Sequence, residues 1–215
     1  MSIDIVKAGP ARAGHGLVLV HGRGGTAADI LGLGKALGIA DLALAAPQHP
    51  RQSWWPTSFL APAATLAPFV EAGIAAIDAT IKGLVQDGVP KDRISVCGFS
   101  QGACLALEYA ARKGNVQAVF GLSGGLIGTD DAASQPDPAL YGYAEKSFDY
   151  QTALSGTSVY IEVHQQDPHI PLARAERSAA VFEQLGSETK LHVVPGAGHS
   201  VTHEGVAAMR SRLNI

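Results

Sequence analysis

Short apolar runs alternate with helix-patterned stretches along nearly the whole chain, and this rhythm limits the fold more than any other feature. The runs LVLV (17–20), LALAA (42–46), ISVC (94–97), AVFGL (118–122), SVYIEV (158–163) and LHVV (191–194) are bounded by turn residues. Unbroken apolarity of that length suits strands covered on both faces of a parallel sheet. Helices are expected between them, over 27–37, 101–113, 171–185 and 201–213. Another carries Val70, Ile74, Ile77, Ile81 and Leu84 at helical spacing before Gly88. Thr26 with Asp29 three residues on predicts a capped helix start, and Pro171 is expected at a first helical position. Alternating strands and helices imply a layered α/β fold with right-handed crossovers. Only 123–156 breaks the rhythm and is expected to be a long irregular connection with at most one short helix.

The chain has 215 residues, 47% of them hydrophobic and 16% charged, with a net charge of −3. One domain, 1–215, with a full core is expected. Without a basic block, nucleic acid is not an expected partner. No apolar run looks long enough to span a bilayer, and the N-terminus lacks the basic start and apolar core of a secretion signal, so a cytoplasmic location is expected. Two cysteines, Cys97 and Cys104, are too few for a disulfide framework and are expected to be buried free thiols.

The stretch LVLVHGRGGTAADIL (17–31) admits two readings. Gly22, Gly24 and Ala27 satisfy a dinucleotide-binding pattern, which also wants an acidic residue ending the next strand. Asp41 is the acid at the right distance, but it precedes the strand at 42–46, and Ala-Pro-Gln-His-Pro follows it. The other reading aims a backbone amide, that of Arg23, at negative charge developing on a substrate. That reading needs a nucleophile on a neighbouring strand.

Gly98-Phe99-Ser100-Gln101-Gly102 supplies one. An apolar strand enters this G-x-S-x-G and a helix leaves it, the context of a nucleophile elbow. Ser100 is the expected nucleophile, and the Gln101 amide at the helix start would join that of Arg23. A serine hydroxyl needs a base, and in this layout the partners follow in the order acid, then histidine. His-Gln-Gln-Asp-Pro after the strand at 158–163 offers Asp167. Pro-Gly-Ala-Gly-His after the strand at 191–194 offers His199. Both follow strands, so both belong at the edge of the sheet where Ser100 sits. His199 would move the Ser100 proton while Asp167 orients and stabilises the imidazole. His199 and His203 have metal-ligand spacing, but the intervening Ser-Val-Thr lacks a zinc-protease glutamate and no metal is expected. His164, His169 and His192 are expected to be structural or rim residues. Of the adjacent tryptophans, Trp55 is expected to line the site and Trp54 to pack elsewhere, with Phe59, Leu60 and Ile170 as further wall residues.

With VHGRGG, APQHPRQSWWPTSF, CGFSQGA, DPHIP and PGAGHS in place, the chain resembles the phospholipase/carboxylesterase family of α/β-hydrolases, close to dienelactone hydrolase in design. The resemblance covers nearly the whole chain. It implies a mostly parallel sheet with helices on both faces, no large cap domain, and a cofactor-free Ser–Asp–His esterase. It carries the nucleophile, acid and base onto Ser100, Asp167 and His199, and the oxyanion amides onto Arg23 and Gln101. A small-molecule ester is the implied partner, in a shallow open cleft, and thioester or lysophospholipid cleavage stays open, as does ligand binding without turnover. Family members also leave a homodimer open. Dienelactone hydrolases proper use cysteine where this chain has Ser100. One dipeptide departs from the family: Val163-His164 stands where His-Gly is usual, just upstream of the acid.

Overall fold

The computed structural model describes residues 3–130 and 135–213. Its strands are β1 (Asp4–Ala8), β2 (His15–Val20), β3 (Leu42–Gln48), β4 (Ile94–Phe99), β5 (Ala118–Leu122), β6 (Ser158–Gln166) and β7 (Glu188–Ala197). Its helices are α1 (Ala27–Ala36), α2 (Ala63–Gln86), α3 (Gln101–Lys113), α4 (Leu172–Gln184) and α5 (His203–Leu213). The strands form one sheet in the order β1-β3-β2-β4-β5-β6-β7, parallel throughout except for β1.

The apolar runs are explained by burial on both faces. Along β2, Val18 and Val20 enter one core layer, shared with Val70 of α2, Leu105 of α3 and Phe182 of α4. Leu17 and Leu19 enter the other, shared with Ile30 and Leu31 of α1 and Met209 of α5. Each fully buried aliphatic side chain contributes about 1.5–3 kcal/mol of transfer free energy, so β2 alone anchors both layers.

Several local expectations change. The strand β1 has no counterpart in the sequence reading, because it is short, half exposed and lies at the sheet edge. α4 begins at Leu172, with Pro171 as its N-cap and not its first turn. α2 reaches back to Ala63 across Pro68, and by length and composition it is long and apolar enough to cross a membrane. In sequence Glu71, Asp78 and Lys82 disguise that length. In the fold Leu66, Val70, Ile74, Ile77 and Leu84 bury the apolar stripe in the core. The cap of α1 is as expected, with the Thr26 side chain accepting from Asp29 N–H and the Asp29 side chain accepting from Thr26 N–H.

Among the described residues, the connection between β5 and β6 is irregular apart from one short 3-10 turn, Pro138–Leu140. Two buried charges hold it in place. Glu108 on α3 accepts hydrogen bonds from the Ile127 amide (3.0 Å), the Tyr150 hydroxyl (2.9 Å) and Arg112 (2.6 Å). Arg174 on α4 donates to the carbonyls of Leu126 (2.8 Å) and Gly128 (2.7 Å) and to Glu145 (2.8 Å). Removing one partner from such a buried set costs about 3–5 kcal/mol.

Candidate active site

Parallel strands deliver their carboxyl ends to one edge of the sheet, and the chemistry collects there. Ser100 joins β4 to α3 with φ 55° and ψ −119°, a conformation few side-chain-bearing residues adopt. Its neighbours explain how the turn closes. A Cβ on Gly98 would stand 2.0 Å from the Gly102 carbonyl oxygen, and one on Gly102 would stand 2.0 Å from that of Val20. No side chain fits at either position, so the strand, the turn and the helix can meet only with glycine at both.

The Ser100 Oγ lies 2.8 Å from Nε2 of His199, and the other ring nitrogen, Nδ1, lies 2.8 Å and 3.0 Å from the two carboxylate oxygens of Asp167. An ionised carboxylate only accepts, so Nδ1 carries the proton and Nε2 presents its lone pair to the serine hydroxyl. Burial pushes the Asp167 carboxyl up, but the hydrogen bond from His199 and those from the His169 and Ile170 amides outweigh it and hold the group below its ordinary value. The imidazole packs against Phe99 (centroids 5.2 Å) and edge-on against His169 (4.8 Å). Beyond it, the Thr202 amide and hydroxyl donate to the buried Glu162 carboxylate at 3.1 and 2.7 Å, fixing the chain between His199 and α5.

Arg23 and Gln101 both line the cleft. Among the described residues neither backbone N–H has an intramolecular acceptor. Their side chains grip the loop between β3 and α2. The Arg23 guanidinium donates to the carbonyls of Pro56 (3.1 Å) and Thr57, while the Gln101 amide accepts from Trp54 N–H (2.8 Å) and donates to the Trp55 carbonyl (2.8 Å). His21 steadies the turn before Arg23. Its Nδ1 donates to the Gly22 carbonyl (2.8 Å) and its Nε2 accepts from His49 N–H (3.2 Å). Burial pushes this imidazole down, which keeps it neutral.

Trp55, Phe59 and Ile170 line the cleft, whereas Leu60 is fully buried and does not, a correction to its expected place on the wall. Trp54 stacks on His21 and donates its indole N–H to the His21 carbonyl (2.9 Å). The cleft measures about 1000 Å³. It is roomy because its walls come from both core layers: Trp55, Phe59 and Ile170 from one, Ile30, Phe99 and Val201 from the other. Tyr141 is a wall residue that sequence reasoning missed. It lies in the irregular 123–156 connection, and its hydroxyl donates to the Asp167 carbonyl (2.7 Å).

The rival reading of the first glycine turn places its acid elsewhere. Asp41 accepts from the Gly14 amide (2.9 Å), before β2 and β3 begin and thus at the end of the sheet opposite the cleft. Both cysteines are buried and free, and burial pushes the Cys104 thiol up to about 12.

A family model described as phospholipase/carboxylesterase matches residues 2–215. The crystal structure of a phospholipase/carboxylesterase from Dyadobacter fermentans DSM 18053 superposes with a TM-score of 0.85 at 31% identity, over 100% of this chain and 97% of its own. Esterase PE8 superposes at 0.76 with 22% identity, over 100% and 99%. The Bacillus cereus carboxylesterase superposes at 0.70 with 14% identity, over 99% and 93%. At those two lower identities the likeness is one of fold. No curated protein gives a match. From its first strand to its last helix, then, this chain belongs to the phospholipase/carboxylesterase family of α/β-hydrolases.

Proposed function

We propose that the protein is a serine carboxylesterase that hydrolyses small to medium carboxylic esters through an acyl-enzyme. The observation that carries this reading is the unbroken chain from the Ser100 hydroxyl through the His199 imidazole to the Asp167 carboxylate, with both links at 2.8 Å. As Ser100 Oγ attacks the acyl carbon, His199 Nε2 takes its proton. The carbonyl oxygen becomes an oxyanion, which the Arg23 and Gln101 amides receive; one such donor is worth about 10²–10³ in rate. Collapse of the tetrahedral species breaks the ester bond, and His199 returns the proton to the departing alcohol. Water then enters and attacks the acyl carbon as it loses a proton to His199, and collapse releases the acid while His199 returns that proton to Ser100 Oγ. Asp167 keeps the proton of the resting imidazole on Nδ1 and stabilises the imidazolium in each half-reaction.

Apolar walls from two core layers favour a substrate with an apolar group on each side of the ester carbonyl. The test is a p-nitrophenyl ester panel, from acetate to dodecanoate, with fluorophosphonate labelling of the wild type and Ser100→Ala. The wild type is expected to label and to turn over short and medium esters best. Ser100→Ala is expected to lose labelling and about 10⁵-fold or more of kcat. A wild type that labels once without turnover would favour ligand binding on a hydrolase scaffold, and one that does not label would sink the serine reading.

A further inference from the structure

β6 and β7 run in register from Ser158 opposite Glu188 to His164 opposite Val194, and then the register shifts, so that Gln166 pairs with Ala197. The shift falls where the two strands are about to deliver Asp167 and His199. A bulge of this kind re-aims whatever follows it, and something must then fix the new aim. His164 is the residue at the shift. Its carbonyl accepts the Asp167 N–H (3.2 Å), closing the turn that presents the acid. Its side chain lies against the other strand's exit: a Cβ on Gly198, the residue before His199, would stand 2.5 Å from His164 Cδ2 and 2.6 Å from Nε2.

We propose that His164 is a positioning residue, its buried ring wedged between the acid turn and the base loop so that His199 meets Asp167 and Ser100 together. The proposal rests on the esterase reading above. Two observations separate it from ordinary packing. First, Gly198 does not have the left-handed backbone that calls for glycine, unlike Gly196 with φ 83°. The ring, and not the backbone, excludes a side chain at 198. Second, His164 Nδ1 is buried without a hydrogen-bond partner among the described residues. The ring therefore acts through its shape, at a cost in unsatisfied polarity that an apolar core position would not carry.

The test compares the wild type, Gly198→Ala, His164→Ala and the double variant, using p-nitrophenyl butyrate kinetics, fluorophosphonate labelling rates and thermal melting. A methyl at 198 pushes the His199 loop off the ring, and a displacement near 1 Å costs about 100-fold. Gly198→Ala is expected to lose about 30-fold or more in kcat with KM within about threefold, since the cleft walls are untouched. His164→Ala is expected to lose about tenfold in kcat, again with KM little changed. The double variant is expected to regain at least about tenfold over Gly198→Ala, because the added methyl then has room. An active Gly198→Ala within threefold of an active wild type, or a double variant no better than Gly198→Ala, would overturn the positioning role alone. If Gly198→Ala does not fold, His164→Ala decides: an unchanged kcat overturns the role. A wild type that neither labels nor turns over would overturn the esterase reading and the positioning role with it.

Discussion

Ser100 and His199 stand 2.8 Å apart but are held by different means. Ser100 leaves a central, fully flanked strand in a strained turn, and the atoms around it are main chain: the Gly102 and Val20 carbonyls leave no room for a Cβ at Gly98 or Gly102. His199 leaves the edge strand β7, much of which is exposed, and its neighbours are side chains: Phe99, His169, Asp167 and, through Gly198, His164. Ser100 is thus placed by backbone sterics, which have few alternatives, and His199 by packing, which has several. Substitutions at the serine end should threaten the fold, and substitutions at the histidine end should threaten the rate.

The largest expected effect tests the first half of that contrast. Gly102→Ala drives a methyl against the Val20 and His21 carbonyl oxygens at 2.0 and 2.6 Å. The expected result is a fall in melting temperature of more than about 10 °C, or no cooperative transition at all, together with loss of fluorophosphonate labelling. A variant melting near the wild type would mean that the serine turn yields more readily than its geometry implies.

A smaller change in structure with a large change in rate tests the other half. Asp167→Asn keeps an acceptor for the His169 and Ile170 amides but no longer holds the proton on His199 Nδ1. A fall of about 10⁴-fold in kcat is expected with a cooperative melting transition retained. A loss below tenfold would remove Asp167 from the proposed mechanism.

Acid titration should separate the two ends most gently. His21 braces the turn beside the serine, and burial depresses its imidazole, so the unfolded chain takes up the proton more readily. Its contribution to stability is complete above the ordinary value of 6.5 and declines as pH falls below it. Asp167 is likewise depressed, so its contribution is complete above 3.8 and declines only below that. Melting followed from pH 7 to 3 should fall in stages, the upper, shared with the likewise depressed His49, made shallower by His21→Asn, and the lower, shared with Asp29 and Glu204, made shallower by Asp167→Asn. An upper stage unaffected by His21→Asn would dissociate the turn at Gly22 from it.

What the sequence disclosed follows the same division. The elbow at Gly98–Gly102 is legible because its constraint is local, with glycines two residues either side of the serine between a strand and a helix. The strand runs are legible because both faces are buried. Asp167 and His199 could be placed only by chain order and strand ends. β1 escaped notice because an exposed edge strand carries no apolar run, and the start of α2 was hidden by Pro68. Leu60 and Phe59 are neighbours with different surroundings, and nothing in Phe-Leu says which meets the cleft. Tyr141 reaches Asp167 from a connection that Glu108 and Arg174 tether at Ile127, Leu126 and Glu145, contacts from distant helices that no local pattern encodes. The His164–Gly198 contact joins residues on two strands through a register shift, which no spacing in the sequence encodes.

The two-sided origin of the cleft bears on how a protein of this design can diverge. Phe59 and Ile170 answer to the packing around α2, α3 and α4, and Ile30 and Val201 to that around α1 and α5. An exchange on one bank is absorbed by its own interior and leaves the opposite bank undisturbed. The two walls of the cleft are therefore open to change one at a time, each within its own layer.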